Sequence, residues 1–204
     1  MYYLYIMDSF FAMLGLVGVV YMIYRMFLKA KKTHADKIEI FKQFAQKYNL
    51  NHSESNYLQV RMSHMSGEIE GLKIQIFEEM ESSGKNRQII TTFRILFDEK
   101  QTEFNLFKKT KAGKLGKRLG VKYVELNNPE FDKNYMLRSE DENVHEIFKA
   151  ENQRLLIENR QHYFGESAAK SKIFAYVFRG ALLKQEHMDQ FEKMIEVFIQ
   201  MYKK

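Results

Sequence analysis

The sequence predicts an α+β protein: an N-terminal single transmembrane helix followed by a soluble domain with an antiparallel β-meander and packed helices. Three observations carry that prediction. Residues Phe10–Leu28 are apolar or uncharged apart from Arg25. Hydrophobic residues alternate with period two around Ile89–Phe97, and apolar residues near the C-terminus recur at spacings of three and four. These are the patterns of a membrane helix, a half-buried strand and an amphipathic helix respectively.

The apolar run comes first. At about 1.5 Å per residue, uncharged Ser9–Tyr24 extends roughly 24 Å, and continuing to Leu28 reaches about 30 Å, the hydrocarbon thickness, provided that Arg25 snorkels. Tyr2, Tyr3 and Tyr5 before it and Tyr21 and Tyr24 near its end suit interfacial belts. No Lys or Arg precedes Arg25 and no A-x-A pattern follows, which argues against a cleaved signal peptide. An apolar run at the extreme N-terminus with a basic edge is hard to place as a buried core helix or a monotopic anchor. Gly15 and Gly18 are three apart, not the four of a G-x-x-x-G dimerisation motif. Lys29, Lys31, Lys32 and Lys37 follow the run, so the positive-inside rule puts the C-terminal domain in the cytoplasm and the N-terminus outside a bacterial inner membrane. The expected division is an anchor over 1–29 and a cytoplasmic α+β domain over 30–204. A turn at Asn127-Asn128-Pro129 suggests halves 30–127 and 128–204.

The remaining roughly 170 residues suffice for one domain with a real core. Hydrophobic residues make up 45% of the chain, and there is a single proline and no cysteine. Disulfides, thiolate metal sites and cysteine nucleophiles are therefore excluded. Ile38, Phe41, Ala45 and Tyr48 predict a helix over 34–48, broken by Asn49, Asn51, His52, Ser53 and Ser55. Leu72, Ile74 and Ile76 alternate after Gly67–Gly71, with Tyr57–Arg61 as a pairing candidate. Ile89–Phe97 is the clearest strand, and residues 98–102 read as a hairpin loop into Phe104, Leu106 and Lys108. Short connections favour a meander of four or five strands ending near Val121–Leu126. Ser139 and Glu142 resemble a capping box opening a helix over 140–159. Lys172–Leu183 suits a buried strand. Met188, Phe191, Ile195, Phe198 and Tyr202 predict a closing helix over 186–202 that packs on the sheet.

Signatures of chemistry are mostly missing: the chain has no P-loop, G-x-G-x-x-G, H-E-x-x-H or G-x-S-x-G, and no cofactor or metal is expected. Lys108–Gly120 packs six basic residues and three glycines into thirteen positions. Amides freed by glycine can cradle phosphate oxygens, so Lys111, Lys114, Lys117 and Arg118 are the candidate contact for anionic lipid headgroups. Nucleic acid is disfavoured because no aromatic residue interrupts the run. Glu142 and His145 are one turn apart, but no second histidine stands at a metal-binding spacing. Ser167-Ala-Ala-Lys170 matches S-x-x-K without its companion motifs, and reads as a loop or helix start.

The anchor, Phe41–Leu50 (FKQFAQKYNL), Gly67–Gly71 (GEIEG) and Phe131–Asp141 (FDKNYMLRSED) together resemble uncharacterised bacterial membrane-anchored proteins. Those place one N-terminal hydrophobic segment before a cytoplasmic α+β domain. The resemblance covers most of residues 38–204 and implies an architecture. It implies no activity and carries over no site residues.

The leading reading is thus a membrane-anchored cytoplasmic binding or scaffold module. Its expected partners are the bilayer through residues 9–28, anionic headgroups, and a protein whose identity the sequence does not supply. The alternative is a membrane-associated enzyme whose site gathers scattered residues such as Asp132, Glu142 and His145. A third reading is an oligomeric assembly joined through the span and the last helix.

Overall fold

The computed structural model describes residues 2–57, 60–83, 86–109, 123–179, 182 and 184–203, and side-chain surroundings for these except 2–16, 30, 31, 34, 57, 60, 61, 83, 86, 87 and 179. A long helix, α1 (Tyr2–Lys47), leads into strands β1 (Asn51–Tyr57), β2 (Val60–Ile69), β3 (Leu72–Ser83), β4 (Asn86–Leu96) and β5 (Phe104–Lys108). Next come the short helix α2 (Pro129–Asn134), β6 (Tyr135–Arg138), α3 (Val144–Ile147) and α4 (Ala150–Glu158). Strands β7 (Gly165–Lys170) and β8 (Ile173–Arg179) and the closing helix α5 (Gln185–Tyr202) complete the chain.

All eight strands lie in one antiparallel sheet of order β1-β2-β3-β4-β8-β7-β5-β6. The first four form a meander. Between β2 and β3, Glu70 and Gly71 both take positive φ (52° and 84°), the backbone of a tight hairpin turn. The expected β4–β5 hairpin does not form. After β4, Phe97 donates its amide to the Lys172 carbonyl and Gln101 to the Ser171 carbonyl. The chain thus passes the end of the β7–β8 hairpin, which sits between β4 and β5. Local alternation identifies a strand but cannot reserve a place for a hairpin made seventy residues later.

Three smaller expectations are also corrected. The polar residues Asn51–Ser55, expected only to break the helix that ends at Lys47, also form most of edge strand β1. The helix expected over 140–159 is two pieces, because Lys149 is extended (φ −60°, ψ 161°). Ser139 caps no helix; its hydroxyl donates to the Glu103 carbonyl at 2.6 Å and accepts from the Asp141 amide at 3.0 Å.

Cross-strand partners share a face, so the register sorts the sheet into two sides. One carries Met65, Ile76, Phe93 and Tyr176 in a single row, all fully buried. Every ring contact described between a helix and the sheet falls on this side. In α5, Phe191 and Phe198 face Tyr176, and Tyr202 faces Phe174. Phe148 meets Phe104 edge-on at 4.9 Å. The opposite side carries His64, Phe77, Thr92 and Val177 in one row, with the Arg94 guanidinium 4.4 Å from the Phe77 ring centroid. Gly165 leaves no room for a side chain in the sheet, since a Cβ there would lie 1.7 Å from the Val177 carbonyl oxygen.

The transmembrane helix is the main correction. Among the described residues, no helix is long and apolar enough to cross a membrane. Helix α1 runs unbroken from Tyr2 to Lys47, so the apolar run is not a separate element. The apolar run within it is interrupted by Arg25. Lys29, Lys32 and Asp36 continue the same helix. The single-pass assignment falls with it.

Candidate functional site

The residues singled out from sequence are not drawn together. Lys111, Lys114, Lys117 and Arg118 lie outside the described residues. The two lysines that open the same basic run are engaged with backbone. Lys108 Nζ donates to the carbonyls of Arg160 (3.1 Å) and Tyr163 (3.4 Å), and Lys109 Nζ to that of Asp132 (2.6 Å). The Asp132 carboxylate accepts the Leu126 amide at 3.4 Å. Glu142 lines an open cavity of about 610 Å³ with Lys100, Glu103, Glu140, Asp141 and Asn143, and neither Asp132 nor His145 is among its walls. Among the described residues no group of acidic or histidine side chains is arranged to hold a metal ion.

Ser167 and Lys170 lie on strand β7, not on a helix or loop, and alternation puts them on opposite faces. The Ser167 hydroxyl is buried, 3.0 Å from the Tyr163 hydroxyl, which in turn donates to the Leu106 carbonyl at 2.7 Å. Burial raises the Tyr163, Tyr135 and Tyr176 phenols well above the ordinary tyrosine range. Each hydroxyl has a partner, and the three serve the core.

Two features stand out instead, one on the apolar run and one that sequence reasoning passed over. The first is the state of α1. Between Val17 and Leu28, ten large apolar side chains are 43–72% exposed. They occupy nearly every position, so they surround the helix and form no single stripe. Arg25, Lys29 and Lys32 add positive charge at and beyond its C-terminal end, and Arg25 stands 5.9 Å from the Tyr21 ring centroid. From Lys37 onward the same helix is packed, with Phe41, Phe44 and Ala45 in the core. Its last turn is tied to α5 by Glu192 Oε1, which accepts both from Lys47 Nζ and from the Tyr48 hydroxyl. Burial and that carboxylate raise the Tyr48 phenol.

The second is a buried ion pair. Lys37 Nζ lies 2.9 Å from Glu78 Oε2, and both side chains are completely buried. The Ser63 amide donates to the same oxygen at 2.9 Å. Glu78 Oε1, Ser63 Oγ and Thr91 Oγ1 are buried without a hydrogen-bond partner among the described residues. A signal was present in the sequence. Lys37 continues the helical series Phe41, Phe44 and Tyr48, and Glu78 continues the alternating series Leu72, Ile74 and Ile76. Each charge thus stands where the period calls for an apolar residue.

No family model matches the chain, and no curated protein matches it. A solved structure does resemble it. The crystal structure of the mycobacterial trehalose monomycolate transport factor A, TtfA, aligns with a TM-score of 0.50 over 83% of this chain and 93% of that one, at 9% sequence identity. At that identity the likeness concerns the fold alone.

Proposed function

We propose that the chain is a binding or scaffold module whose partner is lipid-related: α1 projects from the α+β body, and its exposed apolar stretch contacts a lipid surface. The observation that carries this reading is the run of exposed apolar side chains from Val17 to Leu28. Monomeric soluble proteins rarely leave contiguous apolar patches beyond a few hundred Å² uncovered, and larger ones mark interaction sites. The stretch is apolar around its circumference, which suits a fluid apolar phase better than a single protein groove. The cationic residues that follow it suit anionic headgroups. The contact proposed is immersion of the stretch in the apolar phase of a lipid surface, and not passage through a bilayer. The likeness in fold to the mycobacterial trehalose monomycolate transport factor A is compatible with a lipid-related role.

The test is flotation of the full chain with liposomes of phosphatidylcholine, with and without phosphatidylglycerol. The wild type is expected to float with the anionic liposomes. Ile23→Gln/Phe27→Gln is expected to stay at the bottom while its thermal unfolding midpoint is unchanged. A wild type that ignores both liposomes, or a variant that still floats, overturns the lipid contact. A protein copurifying near stoichiometry with a chain that binds no lipid would make the module a protein scaffold.

A further inference from the structure

The Lys37–Glu78 pair sits where two hairpins part. The ladder between β2 and β3 begins at His64↔Phe77, whereas β3 and β4 remain paired out to Ser83↔Asn86 and β1 and β2 out to Tyr57↔Val60. Beyond His64 and Phe77 the two hairpins are no longer joined to each other. At the first position past that point, the Ser63 amide turns to the Glu78 carboxylate. Lys37 enters from α1 above it. On α1, described residues 17–36 are exposed or half-buried, and Lys37 is where the buried ones begin.

We infer that Lys37 and Glu78 form a clamp that sets the direction in which the N-terminal part of α1 leaves the body. Three properties support it. The apolar contacts of Phe41, Phe44 and Ala45 with the core carry little directional preference, because hydrophobic burial is non-directional. The ion pair is directional, and a helix that slides or rotates by one residue separates two charges that have no water to turn to. The carboxylate is also fixed from two elements. Glu78 opposes Thr91 in the sheet, and its Oε2 accepts both from Lys37 Nζ on α1 and from the Ser63 amide of β2. A buried ion pair is a poor source of stability compared with apolar packing of the same volume, and its best-attested role is to specify one arrangement. This inference does not depend on what the exposed stretch of α1 binds.

The chain contains no cysteine, so two introduced ones can be labelled uniquely. Spin labels at Met26→Cys and Lys170→Cys, both exposed positions, report the helix-to-body distance by double electron–electron resonance in mild detergent. A single narrow distance peak is expected in the otherwise wild-type chain. In Lys37→Met/Glu78→Leu the peak is expected to broaden or split while the circular dichroism spectrum of the fold is kept. Glu78→Gln preserves shape and removes the charge, and provides the same reading should the double variant fail to fold. A peak as narrow in the variants as in the parent overturns the clamp, as does a parent that is already broad.

Discussion

Residues Val17–Leu28 and Lys37–Lys47 belong to one uninterrupted helix and are both rich in apolar side chains, yet the first stretch is exposed and the second packs into the core. The difference lies in period. In the second stretch Lys37, Phe41, Phe44 and Tyr48 form a stripe that one sheet can cover, and the opposite face carries Glu39, Lys42, Gln43 and Gln46 in water. In the first, apolar residues fill the circumference, so no single surface of the chain could cover them. A striped helix finds its partner within its own fold; a helix apolar all round needs one that surrounds it.

The sharpest way to break this comparison is at the junction of the two stretches. Lys37→Ala or Glu78→Ala is expected to cost about 3–5 kcal/mol, because the remaining charge stays buried without the partner at 2.9 Å. Lys37→Met/Glu78→Leu is expected to be close to neutral. Urea unfolding of the three variants decides it, and an additive double variant would mean that the two residues do not act as a pair. Next is a contrast between phenylalanines. Phe198 is fully buried, with ring centroids of Phe174 and Tyr176 at 4.7 and 5.2 Å. Phe198→Ala should cost about 3–5 kcal/mol. Phe27→Ala, in the exposed stretch, should change stability by no more than about 0.5 kcal/mol in the absence of a partner. A large loss at Phe27 would mean that the stretch is packed after all.

A separate effect is in alkali. Tyr135, Tyr163 and Tyr176 have phenols raised in the folded state, chiefly by burial. The unfolded chain therefore releases those protons first. Their contribution is intact below the ordinary tyrosine pKa of about 10 and is lost as pH rises above it, by about 1.4 kcal/mol per pH unit for each phenol. Denaturation midpoints followed across that range, with tyrosinate absorbance as the second probe, check the sign. A midpoint that rises with pH there would contradict it.

Much of the secondary structure was legible because it is local. Ile89–Phe97 alternates and lies within strand β4 or directly after it, and the spacing from Met188 to Tyr202 belongs to α5. Strand β1 was not legible, since Asn51–Tyr57 is an edge strand with few apolar residues to mark a buried face. The insertion of β7 and β8 beside β4 was not legible either, because pairing partners distant in sequence leave no trace in either strand's own pattern. The candidate clamp was half legible. Lys37 and Glu78 each break an apolar series, but nothing in one chain without its fold says that the two breaks meet.

What the residues determined alone is therefore the local material: a strand where the period is two, a striped helix where it is three and four, and an apolar stretch around Val17–Leu28 that no stripe organises. Tertiary structure decided the rest. It put Lys37 against Glu78, forty-one positions away, at 2.9 Å. It joined β4 to β8 instead of β5, and merged the apolar stretch into a longer charged helix instead of a separate span. The physical reason is the same in each case. Side-chain period is set by backbone geometry within one element, whereas pairing, burial and span length depend on what the rest of the chain places beside it.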